Sequence, residues 1–152
     1  MAQPVKVTVG GLLEMSQGEL DDVFRSSTVG EVPDGPGEGT VLFGHGGELS
    51  EVAAKLVHYL AWQGKVFDRE HGELRNEVTP VGIRAVVAKI YRDASWFDGA
   101  ECIVLDYSHT SLIAHWIRDE IREIAPGLYL GLVFWDRTRV LNFALEFPVT
   151  NR

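Results

Sequence analysis

Hydrophobic and polar positions change their period along this chain. From Lys65 onward the period is mostly two, the spacing of half-buried strands. It predicts strands at Lys65–Asp68, Glu73–Thr79, Gly82–Asp93, Glu101–Tyr107, Trp116–Ile124, Leu128–Trp135 and Arg139–Phe147. His71-Gly72, Asp98-Gly99, Pro126-Gly127 and Asp136-Arg137-Thr138 supply the turns. Before Lys65 the period is helical. Ser16-Gln17-Gly18-Glu19 is a capping box, in which the Ser hydroxyl takes an orphan amide and the Glu reaches back. Leu20, Val23 and Phe24 share one face behind it, so a helix is expected over Gln17–Arg25. Leu49, Val52, Ala53, Leu56 and Leu60 form the stripe of a second helix, Glu48–Trp62, which Gly64 ends. Met1–Gly11 reads as a short extended or frayed lead. Glu31–Gly39, with Pro33, Gly35, Pro36, Gly37 and Gly39, reads as a loop, and Thr40–Phe43 as a strand.

Short connections favour neighbouring antiparallel strands. Seven or eight strands in 152 residues imply a meander that curls or closes, since closure removes exposed edges. The expected architecture is one mainly β domain, 1–152: an antiparallel β-barrel or strongly curved sheet with two helices. The helix at 48–62 plugs or flanks one barrel end.

Taking Pro126-Gly127 as a two-residue loop sets a register. Ile124 then opposes Tyr129, Glu123 opposes Leu130, Ile121 opposes Leu132 and Asp119 opposes Phe134. One face collects Ile117, Asp119, Ile121, Glu123, Leu130, Leu132 and Phe134. The other collects Arg118, Glu120, Arg122, Tyr129, Gly131, Val133 and Trp135. The first is more apolar and is expected inside. Pro-Gly suits a type II turn better than the tight hairpin types, so a slip of one residue stays open. On the last strand Leu141, Phe143, Leu145 and Phe147 point one way, and Asn142 and Glu146 the other.

This places two carboxylates, Asp119 and Glu123, on an apolar face. Asp106 alternates with Val104 and Cys102 and is taken to point the same way. A carboxyl in an apolar pocket has a raised pKa and can act as general acid or base. The alternative is structural: the same acids sit at the barrel mouth or pair with Arg118, Arg122, Arg84 or Lys89. Aromatic side chains crowd the same strands. Tyr91, Trp96, Tyr107, Tyr129 and Phe134, with Trp62 from the second helix, are the candidate lining of a small-molecule cavity. They also serve as ordinary core filling.

Composition narrows the classes. The formal charge of −8 argues against nucleic acid and anionic lipid as partners. No apolar run approaches a membrane span and no secretory leader is evident, so a cytoplasmic location is expected. The single Cys102 excludes an internal disulfide and lies in an apolar run, as a buried thiol would. Gly44-His45-Gly46-Gly47 has the composition of an esterase oxyanion loop, but no Gly-x-Ser-x-Gly elbow accompanies it. It reads instead as a loop entering a helix. His45, His58, His71, His109 and His115 show no zinc-motif spacing on a helix. No metal or cofactor is expected.

Leu60-Ala61-Trp62-Gln63-Gly64-Lys65-Val66-Phe67, preceded by Val29-Gly30-Glu31-Val32-Pro33-Asp34-Gly35, is similar to stretches of the small bacterial GXWXG/DUF4334 domains. The likeness covers roughly residues 20–70, and the full Gly-x-Trp-x-Gly signature is missing. The later strand pattern resembles lipocalin-like barrels in architecture. These resemblances imply a β-barrel that binds an apolar or mixed small molecule.

Three functions follow as expectations. The first is a soluble binding protein for a small apolar metabolite. The second is a cofactor-free acid–base enzyme (an isomerase, cyclase or hydratase) that uses Asp119 and Glu123, with Asp106 in reserve, and an oxyanion donor from Tyr91 or Tyr129. The third is an interaction module, such as a homodimer, paired through a sheet edge or a Trp116/Tyr129/Trp135 face.

Overall fold

The computed structural model describes residues 7–42, 65–76, 85–108 and 116–148. Two short helices, α1 (Val9–Leu13) and α2 (Gln17–Ser26), precede eight strands. These are β1 (Gly35–Leu42), β2 (Lys65–Asp68), β3 (Glu73–Asn76), β4 (Ala85–Ala94), β5 (Glu101–Asp106), β6 (Ile117–Ala125), β7 (Leu128–Trp135) and β8 (Thr138–Glu146). Each strand pairs antiparallel with its neighbour in sequence, and β1 pairs with β8 to close the barrel. Gly35–Gly37 of β1 pairs with β2, while Glu38–Leu42 pairs with β8.

α2 forms where its sequence directs. Ser16 Oγ accepts the Glu19 amide, and Glu19 Oε1 accepts the Ser16 amide. The buried stripe is Leu20 and Phe24. α1 is a departure from the extended or frayed lead expected for Met1–Gly11: Thr8 caps Val9–Leu13 by accepting the Gly11 amide. A second departure is β1, which begins inside the expected loop Glu31–Gly39. The glycines serve the strand there, because a Cβ at Gly37 would stand 2.7 Å from the Phe147 ring. The expected helix Glu48–Trp62 lies outside the described residues, as do parts of the expected strands Glu73–Thr79 and Gly82–Asp93.

The part of the barrel built from β5 to β8 is buried on both sides. Inside, Phe67, Leu74, Leu105, Ile121, Val133 and Phe143 belong to one core. On the outer wall, Cys102, Val104, Leu130, Leu132 and Phe134 meet Leu12, Leu20 and Phe24 of the two helices.

That double burial corrects the expected register. In the structure Glu123 pairs with Tyr129, Asp119 with Val133 and Ile117 with Trp135, one residue from the expected pairing. Pro126-Gly127 makes the turn, with Gly127 at φ 73°. A bulge between Glu123 and Ala125 absorbs the mismatch between that turn and the strand twist. The inward set on β6 stands as expected, but β7 is inverted. Tyr129 and Val133 face the interior core, and Leu130, Leu132 and Phe134 face the helices. A strand buried on both faces carries no alternation from which to read its inward side.

The two barrel ends differ. At one, Val29–Asp34 is tied across the strand ends. The Glu123 amide donates to Val29 O (3.2 Å), Tyr129 Oη donates to Glu31 O (2.5 Å) and Arg92 Nη2 to Gly30 O (2.9 Å). Gly30 has φ 72°, and a Cβ there would stand 2.3 Å from Glu123 Cβ, so this close crossing requires glycine. The opposite end holds Leu42, Lys65, Asp106, Ile117, Trp135 and Thr138. A tight turn at Asp136-Arg137, both at positive φ, links β7 to β8 there.

Candidate functional site

β2 alternates Lys65, Val66, Phe67. Phe67 is an interior core residue, so period two puts Lys65 on the inner wall as well. On the far side Asp119 of β6 lies between Ile117 and Ile121, both interior. Tyr107, one residue past β5, follows Leu105 inward. The three polar side chains line a cavity of about 80 Å³. A water needs roughly 10–15 Å³ of such space, so the cavity takes several waters or a small organic molecule. Val41, Phe67, Leu74, Leu105, Phe143 and Leu145 supply its apolar wall. Gly37 and Gly39 contribute wall without side chain.

Tyr107 Oη donates to Asp119 Oδ2 at 3.0 Å. Oδ1 of Asp119 is buried and has no hydrogen-bond partner among the described residues. The Lys65 ammonium lies 5.6 Å from the centroid of the Tyr107 ring. Burial dominates the electrostatics. Removal from water pushes Asp119 up to about 7, against the pull of Lys65 and the Tyr107 hydrogen bond. Removal from water brings Lys65 down to about 8, against the opposing pull of Asp119. An acid and an amine therefore both titrate near neutrality in one cavity, each beside an apolar wall.

The structure separates the other residues singled out in the sequence. Glu123 and Tyr129 meet at the end crossed by Val29–Asp34, where both are engaged. Glu123 Oε1 accepts the Glu31 amide and Oε2 the Gly127 amide, each at 3.2 Å. Asp106 corrects the expectation that it points with Asp119. It pairs with Lys89 and Arg118 across the sheet, and its Oδ2 accepts the Tyr91 hydroxyl at 2.7 Å on the outside of the barrel. Tyr91 is thus an outer-wall residue. Phe134 packs under the helices rather than into the cavity. Trp96 sits on the β4–β5 turn, 41% exposed, with the guanidinium of Arg118 4.4 Å and that of Arg137 4.9 Å from its ring centroid. Trp62 lies outside the described residues. The Trp116/Tyr129/Trp135 face does not exist as a face, because Tyr129 is interior at the far end. Trp116 and Trp135 alone pair, with centroids 5.7 Å apart.

Two buried charges prove to be structural. Glu120 accepts from Ser95 Oγ (2.5 Å), the Trp96 amide (2.8 Å) and Arg118 Nε (3.0 Å). Arg122 binds both oxygens of Asp98 and the carbonyls of Phe24, Ala100 and Glu101. Burial pushes the Cys102 thiol up to about 12, leaving it inert. His71 bonds Asp68 in the exposed β2–β3 turn. The other four histidines lie outside the described residues. Among the described residues no group of three or more His, Cys, Asp or Glu is placed to hold a metal ion. No described helix is long and apolar enough to cross a membrane.

Lys65 is not among the residues that the sequence singles out, although an inward Phe67 on the strand Lys65–Asp68 implies an inward Lys65. A lysine on a strand is ordinarily taken for a solvated position.

No protein-family model and no curated protein matches this chain. A solved structure described as the crystal structure of a protein from Thermomonospora curvata is similar to it with a TM-score of 0.58 at 15% identity, over 90% of each chain. At that identity the likeness shows the barrel fold alone.

Proposed function

We propose that this chain is a small-molecule-binding barrel whose ligand is largely apolar and carries one polar end. One observation carries the reading: an apolar cavity onto which Lys65, Tyr107 and Asp119 converge from three strands or strand ends. Apolar walls with a few convergent polar groups are the usual make-up of a ligand site. The closed eight-strand barrel is compatible with it. The polar end would meet Asp119 and Lys65, and the apolar remainder would lie against Phe67, Leu105, Phe143 and Leu145. A cytoplasmic setting and kinship with the GXWXG/DUF4334 domains belong to the same reading. So does the homodimer option, which falls to the exposed Trp116 beside Trp135.

Cofactor-free acid–base chemistry is a second reading, favoured by Asp119 at about 7. A buried carboxyl poised near the working pH is suited to moving a proton on a bound ligand. The role rests on Asp119 alone, since Glu123 and Asp106 are held elsewhere.

Mass spectrometry of the purified protein, native and then denatured, tests the binding reading. A stoichiometric small molecule lost on denaturation supports it. Leu105→Trp, which fills the cavity from β5, should abolish that ligand while far-ultraviolet circular dichroism stays unchanged. Unaltered ligand occupancy in a folded Leu105→Trp variant would show that the ligand binds elsewhere.

A further inference from the structure

We propose that Lys65 is a nucleophile that forms an imine with aldehyde or ketone ligands in the barrel cavity. The inference rests on the binding reading above and names the ligand's polar end as a carbonyl.

Lys65 lines an apolar cavity with its side chain directed inward from β2. A lysine used only for solubility would stand on the outer wall, as exposed Lys89 does. Desolvation is the standard means of making a lysine nucleophilic, because it favours the neutral amine. The lowering of Lys65 to about 8 from 10.5 agrees with this, and makes its neutral fraction at neutral pH over a hundredfold larger than that of an ordinary lysine. Imine formation also needs a group that takes and returns protons, and Asp119 lines the same cavity. Tyr107 holds one oxygen of that carboxyl, and the other is buried without a hydrogen-bond partner among the described residues. The apolar wall supplies the site for the rest of the carbonyl compound.

The chemistry balances with these groups alone. The lone pair of the neutral Lys65 amine attacks the carbonyl carbon, a C–N bond forms, and the carbonyl π pair moves to oxygen. That oxygen takes the proton of Asp119, and the nitrogen then gives a proton back to the Asp119 carboxylate. A second protonation by Asp119 lets the hydroxyl leave as water while the nitrogen lone pair closes the C=N bond. The iminium proton returns to Asp119. Amine and carbonyl give imine and water, and nothing is oxidised or reduced.

Reductive trapping tests the proposal on the intact chain. The protein is incubated at pH 7.5 with straight-chain aldehydes from butanal to octanal, treated with borohydride, digested and mapped by mass spectrometry. Hydride adds to the imine carbon and leaves the peptide heavier by the aldehyde less one oxygen. The chain contains three other lysines, Lys6, Lys55 and Lys89, as internal controls. The expected result is modification of Lys65 at least about tenfold faster than any of them, with a rate that peaks between about pH 7 and 8, where neutral Lys65 and protonated Asp119 coexist, and falls on either side. Asp119→Asn should slow Lys65 trapping at least about tenfold, with the other lysines unchanged. Equal labelling of all four lysines in the wild-type protein overturns the proposal, with no need for a Lys65 variant to fold. The matched alcohols, from butanol to octanol, separate the two readings. Alcohols that bind while aldehydes are not trapped at Lys65 refute the imine and leave the binding reading standing. If neither alcohol nor aldehyde binds, both fail.

Discussion

Tyr107 donates a hydrogen bond to Asp119 at 3.0 Å inside the barrel, and both side chains are buried. The bond favours the ionised acid in a place where burial favours the neutral one. Tyr107→Phe removes the first effect and leaves the second. A hydrogen bond to a charged group is worth about 1.5–3 kcal/mol, so the Asp119 pKa should rise by about 1–2 units above its value near 7. Carbon-detected NMR titration of the Asp119 carboxyl in both proteins reads this directly. Coincident midpoints would mean that the phenol does not act on the ionised form.

Lys65 and Asp119 give stability a characteristic pH dependence. Asp119 is raised from 3.8 to about 7, so between those values the folded state holds more protons than the unfolded one and stability falls as pH rises. Lys65 is lowered from 10.5 to about 8, so between 8 and 10.5 the unfolded state holds more protons and stability rises with pH. The pair therefore contributes a trough between about pH 7 and 8, on the order of a few kcal/mol below its acid and alkaline shoulders. Urea denaturation of wild type and Asp119→Asn across pH 4–10 isolates it. The descent from pH 4 to 7 should be lost in the variant. An unchanged descent would place its source in other groups.

The fold was legible where one physical signal acted alone, and the site where two signals crossed was less so. The capping box gave α2 to within a residue, because both of its reciprocal bonds form. Leu141, Phe143 and Leu145 of β8 lie inward as their alternation requires, since Asn142 breaks the apolar run. β7 carries no such break, and Tyr129 and Leu130 exchanged sides through the bulge at Glu123–Ala125. Asp119 was found because it interrupts an apolar set. Asp106 was misplaced because its apolar neighbours Cys102 and Val104 face the helices, not the cavity. Two cores on opposite sides of one sheet give the same hydrophobic pattern.

Arg122 fastens α2 to the barrel. It is 1% exposed, bonds both Asp98 oxygens at 2.6 and 2.7 Å, donates to Phe24 O at 2.8 Å and lies 4.2 Å from the Phe24 ring centroid. Arg122→Ala should cost about 3–5 kcal/mol, because it leaves the Asp98 carboxylate without its ion-pair partner and removes one of the donors from the carbonyls of Phe24 and Ala100. Arg122→Lys should recover little, since a single ammonium cannot make the forked contact. The Arg122 hydrogen bond holds Asp98 below the usual carboxylate range. Its contribution is therefore complete above the unfolded value of 3.8 and is lost as pH falls below it. Denaturant midpoints for the two variants at pH 7 and pH 3 provide the check. A cost in Arg122→Ala that is the same at both would show that packing on Phe24, rather than the ion pair, holds the helix.

Gly131 and Phe143 share one volume inside the barrel. They are paired across β7 and β8, and a Cβ at Gly131 would stand 2.2 Å from the Phe143 ring. The ring needs that space to serve as cavity wall. Gly131→Ala should therefore destabilise by about 1–3 kcal/mol, the usual cost of overpacking, despite alanine's better fit to a strand backbone. Phe143→Leu alone should cost about 1 kcal/mol or more through lost packing. Combined, the two changes should cost clearly less than their sum, because leucine vacates the place that the new methyl enters. A double-mutant cycle by chemical denaturation measures that coupling. Strict additivity would mean that the ring turns aside freely, and that Phe143 does not set the size of the cavity holding Lys65 and Asp119.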